Sequence, residues 1–172
     1  MSSEFENERL LDTTGWRLLC ELQENARLSF AELGRRVGLT PPAVADRMRR
    51  FEESGIISGY RTEINTARLG LSLTAYINYA VSRHSQDEAI ALIRSLQEVL
   101  ECHRLTGADG FLMKVVVASV EHLEILVDRL AQHGTTTTSI IISSQVKRRS
   151  IETELVEKNV LQREYEAETV AE

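Results

Sequence analysis

From Asp12 to Glu53 the apolar residues return every three or four positions. After Leu73, alternating or continuous apolar stretches take over, interleaved with two more stretches of helical spacing. The first pattern predicts three helices. Asp12 caps the first, Leu11 and Trp16 stand at staple positions, and Leu18, Leu19 and Leu22 form its inward stripe. Gly15, near the start of this helix, costs it some stability. Ser29-Phe30-Ala31-Glu32 is a capping box that opens the second helix between the staple residues Leu28 and Leu33. Gly38 ends that helix, because glycine readily takes the left-handed conformation just past a helix end. Thr40 is the N-cap of the third helix, with Pro41 at the first helical position, where a missing N–H costs nothing. Spacing predicts this helix over 41–53, with Val44, Met48 and Phe51 on its core stripe and Gly55 after its end. A short helix, a glycine-containing turn and a longer helix make a helix-turn-helix.

The second half predicts a strand over 73–81, alternating at Ala75, Ile77 and Tyr79. A further capping box at Ser85-Gln86-Asp87-Glu88 opens a helix whose apolar side holds Ala89, Ile90, Leu92, Ile93 and Leu96. Strands follow over 99–106 and 111–118, joined by Gly107-Ala108-Asp109-Gly110 as a hairpin turn. A helix over 121–132 carries Leu123, Leu126, Val127 and Leu130, Gly134 ends it, and a last strand covers 138–146. The order βαββαβ is ferredoxin-like, with both helices on one face of a four-stranded sheet. The fold class is therefore α+β: a three-helix helix-turn-helix domain joined by a strand linker to a βαββαβ domain. The divisions expected are 9–56 for the helical domain, 57–71 for the linker, 72–149 for the βαββαβ domain and 150–172 for an acidic tail. The linker should be strand-like over 57–65. The far sheet face is expected to carry apolar residues and to be covered by a second copy.

Charge sharpens the first half. The 172 residues carry a net charge of −6, which argues against a polyanionic partner until its location is read. Residues 151–172 hold seven glutamates against Lys158 and Arg163, a net −5, whereas 29–50 hold five arginines against Glu32 and Asp46, a net +3. Phosphate contact is local, so a basic patch suffices. The outward side of the third helix carries Pro42, Ala43, Asp46, Arg47, Arg49 and Arg50. In a recognition helix the N-terminal residues lie nearest the base edges of the major groove. Arg47 or Arg50 suits a bidentate bond to guanine, Ala43 a thymine methyl, and Arg35 and Arg36 the phosphates. Thr40 belongs to the same face. The expected partner is double-stranded DNA, read by a dimer.

No apolar run reaches the ~18 residues of a membrane helix, and the start MSSEFENERL is polar and acidic, so a cytoplasmic protein is expected, with no membrane partner. Cys20 and Cys102 sit in apolar patterns and read as buried thiols. His84, His103, His122 and His133 show no metal-ligand spacing, and no nucleophile-base or phosphate-loop motif appears, so neither metal, cofactor nor catalysis is expected.

Leu11-Asp12 with Leu18-Leu19, Arg27-Leu28-Ser29, Glu32-Leu33, Gly38-Leu39-Thr40, Arg47 through Phe51 and Gly55-Ile56-Ile57-Ser58-Gly59-Tyr60 together resemble the Lrp/AsnC family of prokaryotic transcription regulators. Thr106-Gly107, Asp109 and Phe111-Leu112 fall at that family's glycine-aspartate motif, with Ala108 and Gly110 standing where many relatives carry aspartates. The resemblance implies homodimers, often assembled into octamers, and an amino acid or related small metabolite bound in the C-terminal domain. It places that effector near Thr106, Gly107, Asp109, Gly110 and Phe111, and near Gly134, Thr135, Thr136, Thr137, Thr138 and Ser139. Backbone N–H groups and threonine hydroxyls there suit a carboxylate, and Asp109 suits an ammonium group. The alternatives are a ligand-independent DNA-organising regulator and a stand-alone metabolite-sensing module.

Overall fold

The structure, a computed structural model, describes residues 10–106 and 110–156. The chain divides into two compact units. One takes the chain up to Thr62 and again from Val146; the other is Glu63–Gln145.

The first unit holds α1 (Thr13–Glu24), α2 (Phe30–Val37) and α3 (Pro41–Glu53). Leu18, Leu22, Leu33, Val37, Val44, Met48 and Phe51 form its core, so the helical stripes of the sequence point where their spacing predicts. Two caps are made as expected. The Asp12 carboxylate accepts from Gly15 N at 2.7 Å, and Ser29 Oγ accepts from Glu32 N at 3.2 Å. Thr40 holds the N-cap position of α3 but makes no side-chain cap bond. Pro42, two residues on, has no N–H to offer it.

Gly15 is needed. A Cβ there would run into the carbonyl oxygen of Leu10, and one at Gly34 would run into that of Leu39. The backbone therefore enters α1 and turns out of α2 through spaces that admit no side chain. Gly38, at φ 77°, then supplies the left-handed residue of the turn. The segment after α3 differs from expectation. It has no ladder partner among the described residues, so no strand forms over 57–65, and it runs irregularly into a 3-10 turn at Thr66–Leu69.

The second unit is a four-stranded antiparallel sheet in the order β2-β3-β1-β4, with β1 (Leu73–Ala80), β2 (Val99–Arg104), β3 (Phe111–Val117) and β4 (Thr135–Ile140). The helices are α4 (Gln86–Ser95) and α5 (Val120–Ala131). Ala75, Ile77 and Tyr79 of β1, Met113 and Val115 of β3, Ala89 and Ile93 of α4, and Leu123, Leu126 and Leu130 of α5 make one core. This is the α+β, ferredoxin-like arrangement.

Three local expectations are corrected. The Ser85 capping box is not made: a 3-10 turn (Arg83–Ser85) precedes α4, and the Ser85 hydroxyl bonds Ser82 instead at 3.1 Å. Strand β4 starts at Thr135 rather than 138, because threonine suits an extended edge and Gly134 lets the chain pass against the Ala80 carbonyl. Cys20 is half-buried and Cys102 exposed, the latter because β2 is an edge strand with few neighbours. The outer sheet face is also less apolar than expected. It mixes Tyr76, Leu112 and Val116 with Asn78, Lys114, Glu101, Thr137 and Ser139, and Lys114 Nζ lies 3.1 Å from Glu101.

Candidate DNA-binding and effector sites

The helix-turn-helix is braced from α1. Arg17 donates to the Arg36 carbonyl at the end of α2, at 2.7 Å. Arg47 of α3 reaches back to Asp12, with guanidinium nitrogens 2.6 and 2.7 Å from the two carboxylate oxygens. Asp12 thus caps α1 and clamps α3 at once. The Arg47 guanidinium, with the Gly15 N–H, holds the Asp12 carboxyl below the usual range. The Arg47 side chain is only 25% exposed, which separates it from the other arginines of α3.

Those others lie open. Arg49 (57% exposed) pairs with Asp46 and Glu53, and Arg50 (56%) with Asp46. Arg35 (74%) pairs with Glu32, and Arg36 (39%) with Glu32 and Glu21. The two arginines hold the Glu32 carboxyl down to about 2. Pairs this exposed are screened by water and contribute little, so exchanging a carboxylate for a DNA phosphate costs little. Thr40 and Pro42 are exposed at the N-terminal end of α3, and Ala43 and Asp46 are half-buried beside them. On α3, Asp46 pairs with both Arg49 and Arg50, whereas Arg35 and Arg36 are exposed on α2 and pair with Glu32 and Glu21, and Arg47 is engaged in bracing the fold.

In the second unit the two candidate effector segments flank the end of β1. Tyr79 is the register partner of Phe111 on one side and of Thr136 on the other. Thr106 is exposed beyond β2, and the turn closes through Leu105 N to the Gly110 carbonyl at 2.9 Å. Gly110 has φ 66°, and a Cβ there would stand 3.0 Å from the Tyr79 carbonyl. Gly107 and Asp109 lie outside the described residues. Phe111 is 5% exposed, so its ring belongs to the core and only its backbone faces the turn. Thr135, Thr136, Thr137, Thr138 and Ser139 lie in β4, not in a loop. They alternate between the two sheet faces along an outer strand bonded on one side only to β1.

Tyr79 was not among the expected site residues. It is fully buried, and its hydroxyl has no hydrogen-bond partner among the described residues. Burial pushes that hydroxyl's pKa up, keeping it a neutral donor. Gly134 packs on the ring: a Cβ there would meet Tyr79 Cε2 at 2.8 Å. The available signal was a tyrosine at a core strand position, where a phenol needs a partner that phenylalanine would not.

Among the described residues no group of His, Cys, Asp and Glu is placed to hold a metal, and no helix is long and apolar enough to cross a membrane.

Residues 11–58 match the winged helix-turn-helix DNA-binding family, and 74–151 match the Lrp/AsnC ligand binding domain. The chain is 38% identical to an uncharacterised HTH-type transcriptional regulator, YezC of Bacillus subtilis, over 78% of this chain and 95% of the relative. Two solved structures share the fold at useful identity. B. subtilis LrpC superposes with a TM-score of 0.75 at 30% identity, covering 80% of this chain and 99% of LrpC. The transcriptional regulator NMB0573 of Neisseria meningitidis, solved as a complex with L-Met, gives 0.77 at 28% identity, covering 84% and 99%. These relatives are regulators and not enzymes. With a helix-turn-helix unit on the family's ligand-binding domain, the chain belongs to the Lrp/AsnC family of ligand-modulated transcriptional regulators.

Proposed function

We propose that residues 9–56 read duplex DNA and that 72–149 bind an amino acid whose presence changes DNA affinity or assembly, with 57–71 as linker and 150–172 as an acidic tail. Arg50 and Arg49, with Thr40, Pro42, Ala43 and Asp46, face the major groove. Arg35 and Arg36 take phosphates, and Arg47 acts by holding α3 to α1. The working form is a homodimer or a multiple of it such as an octamer, which sets two recognition helices on successive grooves.

The observation that carries the effector reading is the row Phe111–Tyr79–Thr136 across three strands, which joins the turn after β2 to the start of β4. An amino acid at this sheet end meets backbone groups of the turn at Thr106 and Gly110. It also meets the hydroxyls of β4 and, from the turn, Gly107 and Asp109. The L-Met complex of NMB0573 makes methionine the first probe.

The test is thermal unfolding of the protein with each of the twenty amino acids, followed by DNA titration with and without the one that stabilises. A ligand of the folded state raises the melting temperature by mass action. Coupling requires that the ligand change DNA affinity and that DNA change ligand affinity by the same factor. No stabilisation by any of the twenty overturns the amino-acid reading. Stabilisation with unchanged DNA affinity and assembly overturns the coupling.

A further inference from the structure

We propose that the outer face of α1 is a docking site for the chain's own C-terminal segment, and that seating the segment there holds an acidic tail against the DNA-binding unit.

The seat has two parts. The Gln23 side chain, near the end of α1, pairs with both backbone groups of Ile151. Ile151 N donates to Gln23 Oε1 at 2.8 Å, and Gln23 Nε2 donates to the Ile151 carbonyl at 3.1 Å. Such a two-way amide pairing is what a neighbouring strand would offer, so it fixes the register of the passing chain. Beyond it, 153–156 form one helical turn. Thr153 and Val156, three apart and so on one side of that turn, line an open groove of about 640 Å³ with Leu11, Trp16, Arg17 and Cys20. The described chain ends at Val156, inside this groove, with residues 157–172 still to follow. Val160 and Leu161 are the next apolar residues available to fill it.

Two observations tie the groove to DNA reading. Asp12 and Arg17 also line it, and these residues brace α3 through Arg47 and α2 through the Arg36 carbonyl. Charge is the second: residues 151–172 are net −5 and the DNA-reading stretch 29–50 is net +3, while the groove's own lining sets Asp12 and Glu21 against Arg17. Glutamates held beside the arginines of 29–50 compete with phosphates for them. The strap beyond Ile151 lies past both matched family regions.

Trp16 is the chain's single tryptophan and lines the groove, so it reports docking directly. In the full-length protein, Gln23→Ala and Val156→Asp are compared with the parent by iodide quenching of Trp16. The expected result is a rise in the quenching constant of roughly two-fold in both variants, since the segment that lines the groove with the indole is released. Unchanged quenching in both overturns the docking. DNA affinity is then read on a mixed-sequence duplex, adding a full-length variant with the seven tail glutamates replaced by glutamine. All three are expected to bind about 3- to 10-fold tighter than the parent near 50 mM salt, with the gap closing as salt rises. A variant that merely unfolds the helical unit would lose DNA binding, the opposite sign. Released Trp16 with equal DNA affinity at every salt overturns the electrostatic restraint and leaves the docking site standing.

Discussion

The two units build their cores alike and place their polar chemistry oppositely. The helical unit keeps its charge outside, in exposed arginine–carboxylate pairs on α2 and α3. Among the described residues, the sheet unit has fewer ion pairs and instead buries one phenol with no partner there, beside an outer strand of hydroxyls. On the proposed reading, the difference follows from what each unit recognises. A phosphate backbone is met by surface charge that exchanges partners cheaply. A small metabolite is met by enclosed polar groups that water does not already satisfy.

The largest effect separates the cores. Leu33 and Leu130 are both fully buried, one in each unit. Leu33→Ala and Leu130→Ala should each cost about 2–5 kcal/mol. Because the chain clusters into two units, calorimetry should show each variant lowering mainly its own unit's transition. A uniform loss in both would mean that the units unfold as one.

Next come the glycines, where helix propensity and packing give opposite signs. Gly→Ala inside a helix ordinarily gains about 0.5–1 kcal/mol. At Gly34 the new methyl meets the Leu39 carbonyl, so Gly34→Ala should instead destabilise by ~1–3 kcal/mol in denaturant unfolding. Gly134→Ala should do the same in the sheet unit, against the Ala80 carbonyl and the Tyr79 ring. A stabilised variant would mean that the turn relaxes freely.

These glycines mark where the sequence was legible and where it was not. Helices α1 to α3 are announced by Asp12, Ser29, Pro41 and Gly38 and by the Val44–Met48–Phe51 stripe, all of which act within a few residues of themselves. The sheet order follows from βαββαβ, and Ala75, Ile77 and Tyr79 face the core as their alternation predicts. What a single sequence conceals is long-range proximity. Gly15 reads as a helix defect until the Leu10 backbone is seen beside it. Arg47 reads as one more outward arginine until Asp12, 35 residues earlier, is found to hold it. Tyr79 reads as core until Phe111 and Thr136 are found on either side. The last strand was expected over 138–146, and pairing with β1 instead places it at Thr135–Ile140.

Arginines of α3 offer the sharpest contrast within one helix. Arg50→Ala should weaken specific DNA binding by ~1–3 kcal/mol while leaving the melting temperature near the parent's. Arg47→Ala should lower the stability of the helical unit by about 1 kcal/mol or less, since Asp12 is itself half-exposed, and should weaken DNA binding only through that loss. Paired thermal melts and DNA titrations separate the two. A stable Arg47→Ala variant with altered base preference would return Arg47 to the reading face.

Acid acts on carboxylates of both units, but through different partners: arginines in the helical unit, and backbone N–H groups, Ser119 and His122 for Glu98 and Glu121 in the sheet unit. Asp12, Glu32 and Asp46 all have pKa values lowered by arginines, and Glu32 falls from 4.5 to about 2. A carboxylate with a depressed folded-state pKa contributes stability above its unfolded value and loses it as pH falls through the folded value. The Glu32 contribution is therefore complete above about 4.5 and lost toward 2. Between those limits, amide protection in α2, taken relative to the intrinsic exchange rate at each pH, should fall in the parent, and Glu32→Gln should flatten that dependence. An unchanged profile would mean that the pairs with Arg35 and Arg36 do not persist in solution.

The smallest effect addresses the buried phenol. In the ligand-free protein, Tyr79→Phe removes a hydroxyl that has no partner among the described residues, so it should leave stability unchanged or raise it by about 1 kcal/mol. If that hydroxyl serves the effector, the same substitution should reduce the thermal shift caused by the amino acid, because the bound ligand loses a hydrogen-bond partner and its Kd rises. The two measurements are independent. A destabilised Tyr79→Phe variant would show that the hydroxyl already has a partner in solution. An unchanged ligand shift would leave Tyr79 as packing for Gly134 and return recognition to the backbone of the turn and the hydroxyls of β4.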